Sequence, residues 1–201
     1  ATSTNWNTTS NWDPQPQGGK IVGAAAGYPN VNVVIDTAAP NNPTMSGNLT
    51  LNNITIEAAR TLTGSTGNVT VNGQISGAGT YAGGSGTLKL MKVGTGANAP
   101  IVLGYSNFND TVGTVSYEGA GNQQIWSDCA ENAYRYYNLN LAGSGTKNFN
   151  GKRMSVRRQI TINNVTCSMD NASQNILPNR AVYNNGIALE MLGTSLLTGS
   201  G

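Results

Sequence analysis

Nine carboxylates, two thiols and not one imidazole are what this sequence of 201 residues offers for chemistry. Without histidine, the chain holds no Ser-His-Asp or Cys-His arrangement and lacks the usual zinc ligands. The acids are Asp13, Asp36, Asp110, Asp128, Asp170, Glu57, Glu118, Glu131 and Glu190. A glycoside hydrolase needs two carboxylates a few ångströms apart, and a calcium-assisted lyase needs several. Even the nearest in sequence, Asp128 and Glu131, are three residues apart. Catalysis would therefore require convergence across distant segments, for example of Asp128 and Glu131 with Glu118. Glu57, between Ile56 and Ala58, reads as a solvent-facing strand residue. Gly83-Gly84-Ser85-Gly86-Thr87 begins like a calcium-binding solenoid repeat but lacks its aspartate, so it reads as a tight turn. No catalytic residue, metal site or cofactor is expected.

Cys129 and Cys167 lie 38 residues apart, with no second pair to complete a metal-ligand motif. They form one disulfide in an oxidising compartment, or remain two free buried thiols; the sequence leaves both open. Neither has the partner that would activate a thiolate. Trp126, Tyr134, Tyr136 and Tyr137 cluster in sequence. Exposed, they would stack on sugar rings; alternating inward, they would fill a core.

The elements that must carry these residues are short and extended. Charged residues make up 10% of the chain, against about 25% in ordinary soluble domains. Polarity comes instead from Asn, Thr, Ser and 26 glycines, the residues of tight turns. A net charge of +2 without strong clustering excludes a nucleic-acid footprint. The one basic cluster, Lys152-Arg153 with Arg157-Arg158, reads as a solvated face. No apolar run approaches the roughly 18 residues of a membrane-spanning helix, so direct membrane insertion is not expected. The start at Ala1, without methionine, is what removal of a secretory signal would leave.

Internal repetition decides the fold class. Gly47-Asn48-Leu49-Thr50-Leu51-Asn52 returns as Gly67-Asn68-Val69-Thr70-Val71-Asn72. The apolar-polar-apolar trio then recurs as Leu88-Lys89-Leu90, Val115-Ser116-Tyr117, Leu139-Asn140-Leu141, Ile160-Thr161-Ile162 and Ile187-Ala188-Leu189, with Val33-Val34-Ile35 upstream. Alternation sends every second side chain to one face of a strand. Repeated once per coil, it builds a column of Leu, Val and Ile inside and of Thr, Ser, Asn and Lys outside. One coil cannot bury its apolar face alone, whereas stacked coils share a continuous core. Eight rungs about 4.8 Å apart would make a rod of roughly 35–40 Å. Ile54-Thr55-Ile56 and Thr61-Leu62-Thr63 supply second and third sides. The pairs Asn52-Asn53, Asn72-Gly73, Asn163-Asn164 and Asn185-Gly186 mark corners where amides stack into ladders. A competing sandwich would use Asn72-Gly73 as a hairpin turn between Val69-Thr70-Val71 and Ile75, but it does not account for the repeat.

The chain therefore reads as an all-β, right-handed parallel β-helix, or β-solenoid. Its handedness follows the preference of parallel crossovers. Residues 1–46, with Trp6, Trp12 and five prolines, read as an N-terminal cap and first coil. Residues 47–201 read as coils that continue beyond the chain end.

Asn5-Trp6-Asn7, Ser10-Asn11-Trp12-Asp13, Val33-Val34-Ile35 and Asn53-Ile54-Thr55-Ile56-Glu57-Ala58 resemble the N-terminal region of large Bacteroidetes-type surface proteins. The block from Gly113 to Ile125 with Tyr137 to Lys147 resembles a recurring unit of the same proteins, and Ser127 to Tyr136 departs from it. The resemblance implies a secreted or cell-surface protein exported by type IX secretion, often an adhesin and in some cases a gliding-motility protein. Its partners would be secretion components during export and glycans or other cells afterwards. It also implies O-glycosylation at Asp36-Thr37-Ala38 and Asp110-Thr111-Val112, on Thr37 and Thr111 in exposed turns. The alternatives are a carbohydrate-active β-helix enzyme and a passive cargo whose active module lies C-terminal.

Overall fold

A computed structural model of the chain describes residues 4–13, 20–104, 106–126, 135–149, 156–168, 188–192, 194 and 196–198. Its main ladder consists of β2 (Leu49–Ile56), β4 (Asn68–Val71), β7 (Thr87–Leu90), β9 (Phe108–Tyr117), β11 (Tyr136–Leu141), β13 (Val156–Asn163) and β15 (Ala188–Leu192), all parallel. Leu49, Val69, Leu88, Val115, Leu139, Ile160 and Leu189 stand in one register column. Leu51, Val71, Leu90, Tyr117, Leu141 and Ile162 stand in the next inward column, with Met191 in register beyond Ile162. From Leu49 to Ile162 no member of either column is more than 3% exposed. Each such side chain contributes about 1.5–3 kcal/mol of transfer free energy. The six steps between rungs span about 29 Å.

The polypeptide is a β-solenoid, and the repeat is its structural period. The hairpin reading of Asn72-Gly73 is overturned. β4 and β5 (Ile75–Gly77) do not pair with each other; both lie parallel on β2, at Leu49–Leu51 and Ile54–Ile56 respectively. Both halves of β2 therefore see the same following coil, around a corner at Asn52-Asn53.

Two expected rungs sit elsewhere. Val33-Val34-Ile35, in β1 (Val31–Ile35), stacks on Ile54-Thr55-Ile56 rather than on Leu49-Thr50-Leu51. Its alternation suits either half of β2, and the corner selects one: Asn32 Oδ1 accepts from Asn52 Nδ2, Asn53 Nδ2 and the Asn53 N–H. At the other end, Leu189-Glu190-Met191 pairs with Ile160-Thr161-Ile162, so the trio lies two residues beyond Ile187-Ala188-Leu189. A slip of two keeps the same face inward, and alternation alone does not detect it.

The second side is the ladder β1, the end of β2, β5 and β8 (Ile101–Leu103). In later coils a separate ladder follows the main strand: β10 (Gln123–Gln124), β12 (Thr146–Asn148), β14 (Thr166–Ser168) and β16 (Leu196–Thr198). The third side pairs β3 (Thr61–Thr63), β6 (Thr80–Ala82) and the start of β9. Isolated parallel bridges extend it from Thr63 to Thr44 and Asn5. Beside Asn5, Trp6 is fully buried, donates its indole N–H to Val22 O at 2.8 Å, and meets Trp12 edge-on at 4.5 Å between centroids. Trp6 thus belongs to the hydrophobic core, with Trp12 packed against it.

Corners are held by asparagine. Asn48, Asn53, Asn122 and Asn164 each accept, through Oδ1, a backbone N–H of the following coil, from Asn68, Gln74, Thr146 and Thr194. Asn185-Gly186 lies outside the described residues. Glycine serves where coils touch: a Cβ on Gly86 would meet the Gly67 carbonyl, and one on Gly67 would meet Gly47 at 2.7 Å.

Candidate functional site

The aromatic cluster divides. Trp126 is 6% exposed and Tyr136 is fully buried, so neither offers a ring face to a sugar. They close an aromatic core with Tyr81 and Phe108, whose rings stack at 5.3 Å; Phe108 lies 5.4 Å from Trp126 and 5.5 Å from Tyr136. Their polar atoms are satisfied inside: Trp126 Nε1 donates to Leu103 O, and Tyr136 Oη donates to Trp126 O at 2.6 Å. The chain between Leu88 and Val115 is longer than between Leu49 and Val69, and large rings fill the wider coil. Tyr137 is partly exposed, while Tyr134 lies outside the described residues.

The two threonines differ. Thr37 is exposed in a turn, its N–H donating to Glu57 Oε2 at 2.9 Å, while Asp36 Oδ1 accepts from the Ala38 N–H at 2.6 Å. Glu57 therefore bridges coils just past the end of β2, rather than standing free on a strand. Thr111 is not in a turn. It lies within β9, half-buried beside a carboxylate that is almost wholly inside. That group, Asp110, accepts from the Gly113 N–H at 2.9 Å, and burial raises its pKa to about 6. Cys167 is a buried free thiol, pushed up to about 12 by desolvation, and Cys129 lies outside the described residues.

Below Cys167 in the ladder are two polar residues the sequence did not mark as interior. Lys147 is fully buried, its ammonium donating to Gly119 O at 2.9 Å, Gly121 O at 3.3 Å and Gln123 Oε1 at 2.6 Å. Gln123 is buried too; its amide donates to Leu90 O and Lys92 O, and its oxygen also accepts from the Gly119 N–H. Desolvation lowers Lys147 to about 8, since three uncharged oxygens replace water without supplying a countercharge. The signal available in sequence was the alignment of Thr146-Lys147-Asn148 with Thr166-Cys167-Ser168. Lysine read as a surface residue.

The outer face of the main ladder carries a shallow concavity of about 480 Å³. Two parallel files of polar residues line it: Thr87, Thr114, Asn138 and Gln159 in one, Lys89, Ser116, Asn140 and Thr161 in the other. Glu118 is the one carboxylate among the lining residues. It is held by Lys89 Nζ at 3.3 Å and by the Ser116 hydroxyl at 2.7 Å, and Asn140 Nδ2 donates to Ser116 Oγ at 2.6 Å. Beside the concavity the register slips between Tyr136 and Asn138 on both neighbours. This irregularity places Tyr137 against two guanidinium groups, Arg157 at 5.6 Å and Arg158 at 5.9 Å from the ring centroid.

The concavity offers hydroxyls, carboxamides and one neutralised ion pair. It is suited to hydrogen bonding, and among the described residues it holds one carboxylate where glycoside hydrolysis uses two. Among the described residues no three of His, Cys, Asp and Glu gather as a metal would need. Asp128 and Glu131, the candidates for convergence on Glu118, lie outside the described residues. Fold and surface together define the class: a parallel β-solenoid with an aliphatic and aromatic core and a polar outer face. The chain matches no family model, no curated protein and no solved structure.

Proposed function

We propose that the chain is a structural and adhesive segment of a large secreted bacterial surface protein, exported by type IX secretion, and that none of its residues does chemistry. The observation that carries this reading is the seven-rung parallel ladder, whose core is continuous from Leu49 to Ile162, as a stiff rod would have. Such a rod holds a surface at a fixed distance and repeats its outer face at each rung. Four of the described carboxylates fit a structural part: Asp36 closes its turn, Glu57 bridges coils, Asp110 accepts from the Gly113 N–H within β9, and Glu118 pairs with Lys89. In this reading Thr37, exposed in its turn, is the glycan acceptor of choice over half-buried Thr111.

Antibodies raised against the purified chain test the location. They are expected to label intact, unpermeabilised source cells, and labelling only after permeabilisation would overturn the surface assignment. Intact-mass measurement of native material is expected to show excess mass on the peptide carrying Thr37.

A further inference from the structure

We infer that the concavity on the main ladder, with the arginines beside it, binds an acidic polysaccharide, one bearing carboxylate or sulfate groups on otherwise neutral sugar rings. This rests on the adhesive reading and names the ligand class for it. Three observations meet at one place. First, the lining is a two-file array of hydroxyl and carboxamide groups on successive rungs, in which Asn and Gln supply both donors and acceptors. Such an array matches the closely spaced hydroxyls of a sugar chain, and it repeats at each rung as a polymer does. Second, the one anion among the described lining residues is already neutralised. Glu118 is engaged by Lys89 and Ser116, so it does not repel a negatively charged ligand.

Third, positive charge stands at the edge of the array. Arg157 and Arg158 precede Gln159 in β13, and Tyr137 precedes Asn138 in β11; Gln159 and Asn138 are paired lining residues. Arg158 is exposed, and its guanidinium carbon lies 5.9 Å from the Tyr137 ring centroid, a cation–π contact beside the groove. A guanidinium presents a planar fork that matches a carboxylate or sulfate bidentately, and stacking on an aromatic ring pre-organises it. The array binds the rings and Arg158 selects the charged ones.

Binding of the purified chain to polygalacturonate and to uncharged dextran, with inorganic polyphosphate as a charge-only control, tests this. Arg158→Glu and Asn140→Ala are the variants, with circular dichroism confirming that each keeps its strands. Wild type is expected to bind polygalacturonate in preference to dextran and polyphosphate. Arg158→Glu should weaken that binding about tenfold or more, and Asn140→Ala should weaken it while leaving its salt dependence unchanged. Equal binding of polygalacturonate and dextran, unaltered by Arg158→Glu, would overturn the inference and leave the adhesive reading standing. Polyphosphate binding as tight as polygalacturonate would overturn it in favour of a charge patch. If wild type binds neither polysaccharide, nor intact cells, both readings fall.

Discussion

Replacing Lys147 with methionine removes a charge from the middle of the solenoid and keeps most of the volume. The folded chain releases the Lys147 proton near pH 8, because burial among uncharged oxygens disfavours the cation. The unfolded chain keeps that proton to the ordinary 10.5. Between these values the unfolded state binds more protons, so stability rises with pH; below pH 8 the full cost of burying the ammonium is present. At about 1.4 kcal/mol per unit, the rise from about pH 8 to about pH 10 amounts to about 2–3 kcal/mol. Lys147→Met has no such titration. Urea unfolding of both proteins at about pH 7.5 and about pH 10, followed by tryptophan fluorescence, measures the difference between the two rises. The buried Tyr81 and Tyr117 hydroxyls, both raised by desolvation, affect wild type and variant alike and cancel. Parallel pH dependences in the two proteins would refute the reasoning, since they would mean the Lys147 amine is in water.

Two further outcomes follow from buried groups and close approaches. Asp110 holds its proton to about pH 6 in the folded chain against 3.8 ordinarily, so the folded state binds more protons in that window and stability falls as pH rises through it, by about 3 kcal/mol; Asp110→Asn should flatten this slope in the same urea assay. Gly86→Ala puts a methyl group against the Gly67 backbone, which belongs to the preceding coil and has no side chain to swing away. Thermal unfolding should show a loss of about 1–3 kcal/mol, whereas Gly96→Ala, with nothing within 4 Å of the added carbon, is strained only through its positive φ.

The sequence made the solenoid legible because its repeat survives at the level of residues. Leu49-Thr50-Leu51 and Val69-Thr70-Val71 announce a rung, and β2 and β4 are register partners. What alternation does not encode is which of several equivalent faces a strand stacks on. The alternation of Val33-Val34-Ile35 therefore suits either half of β2, and the structure stacks it on Ile54-Thr55-Ile56, with Asn32 bonded at the corner beside it. Ile187-Ala188-Leu189 was two residues out for the same reason. The site was less legible. Aromatic residues carry no mark saying which way they point, so the sequence leaves Trp126 and Tyr136 between sugar platform and core, and the packing around Phe108 places both inside. Lys147 and Gln123 were missed because polar residues read as surface, although their register with Cys167 put them inward. The polar files of the concavity follow directly from the outward half of the trios, whereas the register slip beside Tyr137 is announced by no local pattern.

The central claim is that successive coils lie side by side, parallel and in register. Cysteines at the outward positions Thr50 and Thr70, in a background lacking the two native cysteines, test it most directly. Register partners on adjacent strands are about 4.8 Å apart, within the reach of a disulfide, which spans about 4.4–6.8 Å between Cα atoms. The stacked coil predicts rapid oxidation of the Thr50→Cys/Thr70→Cys pair and none of Thr50→Cys/Lys89→Cys, two rungs apart at about 10 Å. Failure of the first pair to close, or closure of the second at an equal rate, would contradict the solenoid.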